Sequence, residues 1–313
     1  VDWTVYWFML PVCIAVASVA MFSGISGAAM LIPVFLIGFP LFEVPRLTTA
    51  AAIGTSLLLE TSGFGTGLYR YLRSRLVDTA TARRLIAVTL PLGAVGAVAS
   101  AHAPVQALRL GYGAAMVGLA VLLVRDTAEH APEPLPVPVV GGPAPGAAFA
   151  TPGEPPHPRC PRGVPRQITA AGGRSFDFCA HGLRGQQALS GLGAFFAGLI
   201  STGVGEATLP GLIRRSRFPA AVAAATSTVV VAGTVVGAAV THMVQLASAG
   251  GFAAIPWNLI VWAVPGAMLG AVIGTGLQGK VSPRVTRWFF GGLFLAIGVT
   301  FLLAFTVFVH RFG

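Results

Sequence analysis

The sequence predicts an all-α polytopic membrane protein. It would be built from two inverted-topology repeats, each a broken or re-entrant helical hairpin followed by about three transmembrane helices. Three observations carry this reading. The 313 residues are 55% hydrophobic and only 10% charged, with a mean hydropathy of +0.79, far less charge than a soluble domain of this size carries. Twice an apolar run breaks at a glycine-rich tip and restarts as a short run carrying a proline: Ser23-Gly24-Ile25-Ser26-Gly27 leads to Pro33, and Thr202-Gly203-Val204-Gly205-Glu206 leads to Pro210. Finally, the positively charged loops change places between the two halves.

In order along the chain, residues 3–22 form an apolar run that ends at the first tip. A short run follows at 28–39, then spans at about 47–69, 85–101 and 108–124. Within 125–184 the hydrophobic signal disappears and proline dominates, as at Pro132, Pro134, Pro136 and Pro138. Such a segment buries too little apolar surface to offset its ordering entropy and reads as an extended or disordered linker. The second half repeats the order: 187–200, the second tip, 207–213, then spans at 219–244, 257–277 and 287–309. The chain thus divides into a membrane repeat at 1–124, a proline-rich linker at 125–184 and a second repeat at 185–313.

The duplication extends beyond the tips. Pro91-Leu92-Gly93-Ala94-Val95-Gly96-Ala97-Val98 matches Pro265-Gly266-Ala267-Met268-Leu269-Gly270-Ala271-Val272, Thr55-Ser56 matches Thr226-Ser227, and Arg109 with Gly113 matches Arg287 with Gly291. Small residues at these positions suit close helix–helix packing.

Charge sets the orientation. The first half carries Arg70, Arg73, Arg75, Arg83 and Arg84 in its third loop, whereas the equivalent loop at 245–257 has no charge. Conversely, Arg214, Arg215 and Arg217 follow the second short run, where the first half offers Glu43 and Arg46, and Lys280, Arg284 and Arg287 replace a loop bearing His102 and Arg109. The positive-inside rule then inverts the repeats, places the linker in the cytoplasm and both termini outside, and suits a bacterial-type inner membrane. Arg311, at the outer end, runs against the rule.

The net charge of +10 comes from arginines at span ends rather than from a basic face, which argues against nucleic acid. Three cysteines make no disulfide framework, and Cys13 reads as a small core residue. The first apolar stretch lacks a preceding basic region and is not read as a signal peptide. His157, Cys160, Cys179 and His181 match zinc in ligand type, but His-x-x-Cys with Cys-x-His is not a strong metal pattern, so no metal or cofactor is expected.

The tips are the candidate binding site. Glycine lets backbone N–H groups approach a ligand, and a half-helix starting there presents its positive end to an anion. Two inverted copies meeting near the midplane would form an anion site without lysine or arginine. Candidate substrate-binding residues are Ser23, Gly24, Ser26, Gly27, Thr55, Ser56, Thr202, Gly203, Gly205, Thr226 and Ser227, although hydroxyl residues also serve simply to pack membrane helices. Glu60, inside an apolar span, and Glu206, at the second tip, are candidates for proton coupling. An intramembrane carboxylate costs about 2.5–3.5 kcal/mol on insertion scales, which points to function. A glutamate that only satisfies N–H groups of a broken helix is the simpler alternative. His102 and His242 fall at expected span ends and read as interfacial polar residues.

On these residues the chain resembles the sulfite exporter TauE/SafE family. Its members carry a glycine-rich tip followed by proline, then a Thr-Ser element on the next span. Here the tips read Gly24-Ile25-Ser26-Gly27-Ala28 and Gly203-Val204-Gly205-Glu206, and the Thr-Ser elements read Ala52-Ile53-Gly54-Thr55-Ser56 and Ala224-Ala225-Thr226-Ser227. Ser26 and Glu206 stand at glycine-like positions, and the long insert between halves is a further departure. The resemblance implies a transporter of a small sulfur-containing anion such as sulfite, sulfoacetate, another organosulfonate or thiosulfate, with a coupling proton as possible partner.

Three alternatives remain at this point. The same architecture suits an anion channel with the tips as filter. Gly24-Ile25-Ser26-Gly27 looks like the Gly-x-Ser-Gly of rhomboid intramembrane proteases, which need a histidine on another helix. The linker also suits a docking segment on a non-transporting membrane partner.

Overall fold

The computed structural model describes residues 2–23, 26–125, 160, 163–173, 175–277 and 283–312. Gly24, the 126–159 segment and His157 lie outside the described residues, and the side chains of Ser23, Arg284 and Arg287 are likewise not described. Ten helices and one β-hairpin follow in order: α1 (Met9–Ser23), α2 (Gly27–Leu41), α3 (Thr49–Ser74), α4 (Thr79–His102), α5 (Val105–Arg125), β1 (Val164–Thr169), β2 (Ser175–Ala180), α6 (Leu183–Ile200), α7 (Val204–Arg214), α8 (Ala220–Gly250), α9 (Trp257–Leu277) and α10 (Pro283–Phe312). Among the described residues five of these helices fall in each half, the predominantly helical architecture of a membrane protein. Among the described residues, α4, α8 and α9 are long and apolar enough to cross a bilayer. α3 spans 26 residues but carries Glu60, Arg70 and Arg73.

Local chemistry sets the helix ends. Asp78 caps α4 through the N–H groups of Ala80 and Thr81 at 3.1 and 3.2 Å, and Thr48 caps α3 through Ala51. Pro33 sits inside α2, where it withholds the N–H that would meet the carbonyl of Ala29. Downstream the helix widens into a π-helical stretch, Val34–Gly38. The Tyr112 hydroxyl, from α5, donates to the carbonyl that proline leaves free.

The helices pair in matching ways across the halves. α1 lies along α9 and α6 along α4, while α3 packs on α8 and α5 on α10. Glycine makes the first two contacts possible: a Cβ on Gly198 would fall 1.9 Å from the Gly93 carbonyl oxygen, and one on Gly274 would fall 2.3 Å from that of Ser18. Contacts such as Gly266 on Leu10 and Gly274 on Ser18 make α1 and α9 parallel. α3 and α8 run antiparallel, with Gly54 beside His242 and Asp78 N–H on Thr226 Oγ1. α5 and α10 are antiparallel too, with Tyr112 against Phe301 and Val117 against Gly298.

Both broken segments fold back as hairpins. α1 and α2 close at their open end through Tyr6 stacked on Phe39, with ring centroids 5.4 Å apart. α6 and α7 close through His181 N–H on the Ser216 carbonyl.

The 125–184 region departs from expectation where it is described. Val164–Thr169 and Ser175–Ala180 pair as an antiparallel β-hairpin, not an extended or disordered segment. Phe178 and Ala180 bury against Leu85, Leu212 and Phe218. Arg166 Nε lies 3.4 Å from Asp78 Oδ2, and Ala171 N–H meets the Ser74 carbonyl. Cys160 and Cys179 form a single disulfide, a pairing that the sequence reading, which expected no disulfide framework, did not identify. Proline and glycine dominate the composition of the region and hide the alternating Ile168, Phe176 and Phe178.

Candidate functional site

The tips of the two hairpins meet. The Ser26 N–H, at the start of α2, donates to Glu206 Oε1 at 3.2 Å, and the Gly203 N–H, at the start of α7, donates to Oε2 of the same carboxylate at 3.1 Å. Ser26 Oγ donates to the Ser201 carbonyl at 3.4 Å. On the other side, the Ser201 hydroxyl lies 3.2 Å from that of Ser56 and donates to the Ile53 carbonyl at 3.3 Å. Glu60, from the middle of α3, lies within hydrogen-bonding reach of the Ser26 hydroxyl and the Gly27 N–H. Two carboxylates thus converge on one serine.

The chain reaches this arrangement through its breaks. α6 ends with Ser201 in the left-handed region at φ 60°, followed by Gly203 at φ 125°. A non-glycine residue there costs of order 1 kcal/mol or more. In return, Ser201 presents its carbonyl to Ser26 of the opposite hairpin and its hydroxyl to Ser56 and Ile53 of α3. Gly203 has no alternative, because a Cβ would also fall 2.9 Å from the Gly193 carbonyl. Ending α6 leaves the Gly198 carbonyl without a helical donor, and His242 Nε2 sits 2.8 Å from it.

Most of the site is buried: Ser26 is 7% exposed, Glu60 7% and Ser56 0%, while Glu206 is half-buried. Thr55 is fully buried, with a hydroxyl that finds no partner in the protein. A narrow pocket opens beside Glu60, lined by Cys13, Ala17, Gly27, Leu31 and Phe64 among others. Apart from Glu60 its walls are apolar.

Not every candidate residue comes to this point. Ser26, Gly27, Ser56, Gly203, Glu60 and Glu206 do. Thr202 is buried next to them, and Gly205 sits in the first turn of α7 facing Val231. Thr226 is held instead by the Asp78 N–H, and Ser227 bonds within its own helix to the Ala224 carbonyl. The antiparallel packing of α3 and α8 carries that pair toward the end of α3.

Ser201 was missed in the sequence reading. It follows an apolar run and passes for an ordinary span end, its one signal being a polar residue directly before Thr202-Gly203. His242, expected at an interface, is 1% exposed. His102 matches its expected place, exposed in the last turn of α4. Among the described residues, the Ser26 hydroxyl donates to the Ser201 carbonyl rather than to an imidazole.

A family model described as sulfite exporter TauE/SafE matches residues 9–301. No curated protein and no solved structure matches the chain.

Proposed function

The chain belongs to the sulfite exporter TauE/SafE family of membrane transporters, and on that premise we propose that it is a secondary transporter, in the export direction, of a small sulfur-containing anion such as sulfite or an organosulfonate. The anion binds where the two tips meet. The observation that carries this reading is the convergence of N–H donors from both hairpins, Ser26 and Gly203, on one anionic group. Backbone N–H groups at broken helices favour anions without a lysine or arginine.

The halves act as inverted repeats, and each hairpin is re-entrant. Supporting this, helices in corresponding positions, α3 with α8 and α5 with α10, run antiparallel. A two-fold axis lying in the membrane plane produces that relation. Rocking one hairpin against the other would open the shared site to alternate sides.

The Arg-bearing end, with Arg75, Arg83, Arg166 and Arg215, faces the cytoplasm together with the linker, and the termini lie outside. The membrane is a bacterial-type inner membrane. A disulfide at a cytoplasmic face is a redox-sensitive bond rather than a permanent staple. A proton coupled through Glu206 or Glu60 would offset the charge of the anion.

Counterflow of radiolabelled sulfite in proteoliposomes tests the reading, with sulfoacetate, taurine, thiosulfate and sulfate as competitors and with or without an inward pH gradient. Saturable counterflow competed by one sulfur anion is the expected result. Flux without counterflow favours a channel, and no flux of any of these anions removes the substrate claim. If Glu206→Gln and Glu60→Gln both leave the response to the gradient unchanged, the proton coupling falls.

A further inference from the structure

Glu206 stands at a glycine-like position of the second tip, and its carboxylate is engaged in an unusual way. Its Oε2 takes the Gly203 N–H three residues back, which is the ordinary capping-box contact of a helix N-terminus. Its Oε1 takes the N–H of Ser26, 180 positions away on the other hairpin. Capping α7 requires the first contact and gives no account of the second.

Resting on the anion-transport reading above, we propose that Glu206 is a tethered stand-in for the substrate: its carboxylate occupies the N–H groups that the two tips offer to an oxyanion and latches the tips together until an anion displaces it. A carboxylate presents two negative oxygens on one central atom, and so do sulfite and the sulfonates. The two N–H groups belong to different hairpins, so whatever bridges them also joins the halves.

The surroundings single out Glu206 as the group that leaves. Glu60 is 7% exposed, sits in the middle of a long helix and already has Ser26 Oγ and the Gly27 N–H. Glu206 is half-buried, in the first turn of a short helix. A substrate anion and the Glu206 carboxylate compete for the same two N–H groups, Ser26 and Gly203, and the site relieves that conflict most simply by turning Glu206 out. The fully buried, unpartnered hydroxyl of Thr55, next to Ser56, is a further donor within the same stretch of α3. The chemical class admitted is a small oxyanion with at least two oxygens on one centre.

The test uses the full chain in detergent, with radiolabelled sulfite as probe, and compares wild type with Glu206→Gly, Glu206→Ala and Glu206→Asp. Elution profile and melting temperature certify the fold of each variant. Removing the competitor lowers the sulfite Kd about ten-fold in Glu206→Gly and Glu206→Ala. Glu206→Asp, one methylene shorter, loses the bridge to Ser26 and tightens as well. Equal or weaker sulfite binding by the folded Gly and Ala variants overturns the stand-in.

Amide hydrogen exchange of the peptide beginning at Ser26 reads the latch without any substrate. Exchange speeds up in Glu206→Gly if the carboxylate holds that N–H, and unchanged exchange overturns the latch. Should no variant bind sulfite while exchange still accelerates, the latch stands and the sulfite reading falls.

Discussion

The α1–α2 and α6–α7 hairpins share a motif and are held together by different chemistry. The first is closed by aromatic rings, Tyr6, Phe8, Phe35 and Phe39, with Phe35 and Phe39 centroids 5.4 Å apart. The second is lined with polar groups. Gln186 Nε2 donates to Ser190 Oγ at 2.9 Å, and Thr208 Oγ1 donates to the same oxygen at 3.1 Å. Its open end is covered by the β-hairpin, which has no described counterpart on the first half. Even at the site the symmetry is broken: on the duplication, Glu60 pairs with Val231 and Glu206 with Gly27. Duplication fixes where the backbone breaks and which helices touch, whereas the charges at the break are contributed once each. A transporter moving net cargo in one direction has reason to differ between its two half-sites.

The contacts that the halves share should be the least forgiving. Gly198→Ala places a methyl carbon 1.9 Å from the Gly93 carbonyl oxygen, and Gly274→Ala places one 2.3 Å from that of Ser18. Both clashes are with backbone, so neither is relieved by a rotamer change. Each substitution should cost more than about 4 kcal/mol and abolish a monodisperse peak in size-exclusion chromatography of detergent extracts. If one of the two substitutions is tolerated and the other is not, the two packing seams are not equivalent.

Next in size are the donors that repair interrupted helices. Tyr112 serves the Ala29 carbonyl, freed by Pro33, and His242 serves the Gly198 carbonyl, freed by the end of α6. Tyr112→Phe and His242→Phe each leave a buried acceptor unpaired, a loss of about 1–3 kcal/mol, seen as a lower melting temperature. Because the repaired carbonyls lie on different hairpins, more than 7–10 Å of separation would make the two losses add. A double variant that loses much less than the sum would show the hairpins to be coupled through the tips.

Much of this architecture was legible in the sequence, for identifiable reasons. The tips were visible because glycine clusters within apolar runs are conspicuous, and Glu60 and Glu206 because charge at that depth is costly. The exchange of arginines between loops anticipated the antiparallel relation of α3 and α8. What escaped was conformation at single residues. Ser201 matters through its left-handed backbone, which no composition reports. His242 was placed at a span end because the apolar count stops near Val244, yet α8 continues to Gly250 through Gln245, Ala247 and Ser248. Thr226 resembled Thr55 in sequence but was drawn to Asp78, since pairing in sequence does not place two residues at the same height on antiparallel helices.

A selective loss of binding separates the two carboxylates. Glu60→Gln keeps the shape and one acceptor for the Gly27 N–H while removing the ionisable carboxyl beside Ser26. It should leave the stability within about 1 kcal/mol of wild type, as for the exchange of one hydrogen-bonded group for another, and alter anion counterflow several-fold. Val231→Glu, which would restore the symmetric partner, should instead destabilise the fold by about 2.5–3.5 kcal/mol, because Gly205 offers no side chain to meet it. Equal tolerance of both changes would mean that the asymmetry of the site carries no function.

The smallest expected effect on transport lies at the β-hairpin that packs on the second half. Closing the loop between Cys160 and Cys179, 19 positions apart, is worth about 3 kcal/mol of local stability by chain entropy. Opening it leaves the packing of Phe178 on Phe218, with centroids 4.7 Å apart, and the Arg166–Asp78 ion pair in place. Cys160→Ser with Cys179→Ser should therefore speed proteolysis near residue 160 while changing anion flux less than about two-fold, since the entropy gained is confined to the hairpin. The same cysteines report orientation. With the arginines facing the cytoplasm, acid-quenched cells should show both thiols free to a maleimide reagent and bonded only after oxidation. A disulfide already complete in those cells would put this end of the molecule on the oxidising side, reversing the orientation while leaving the tip geometry untouched.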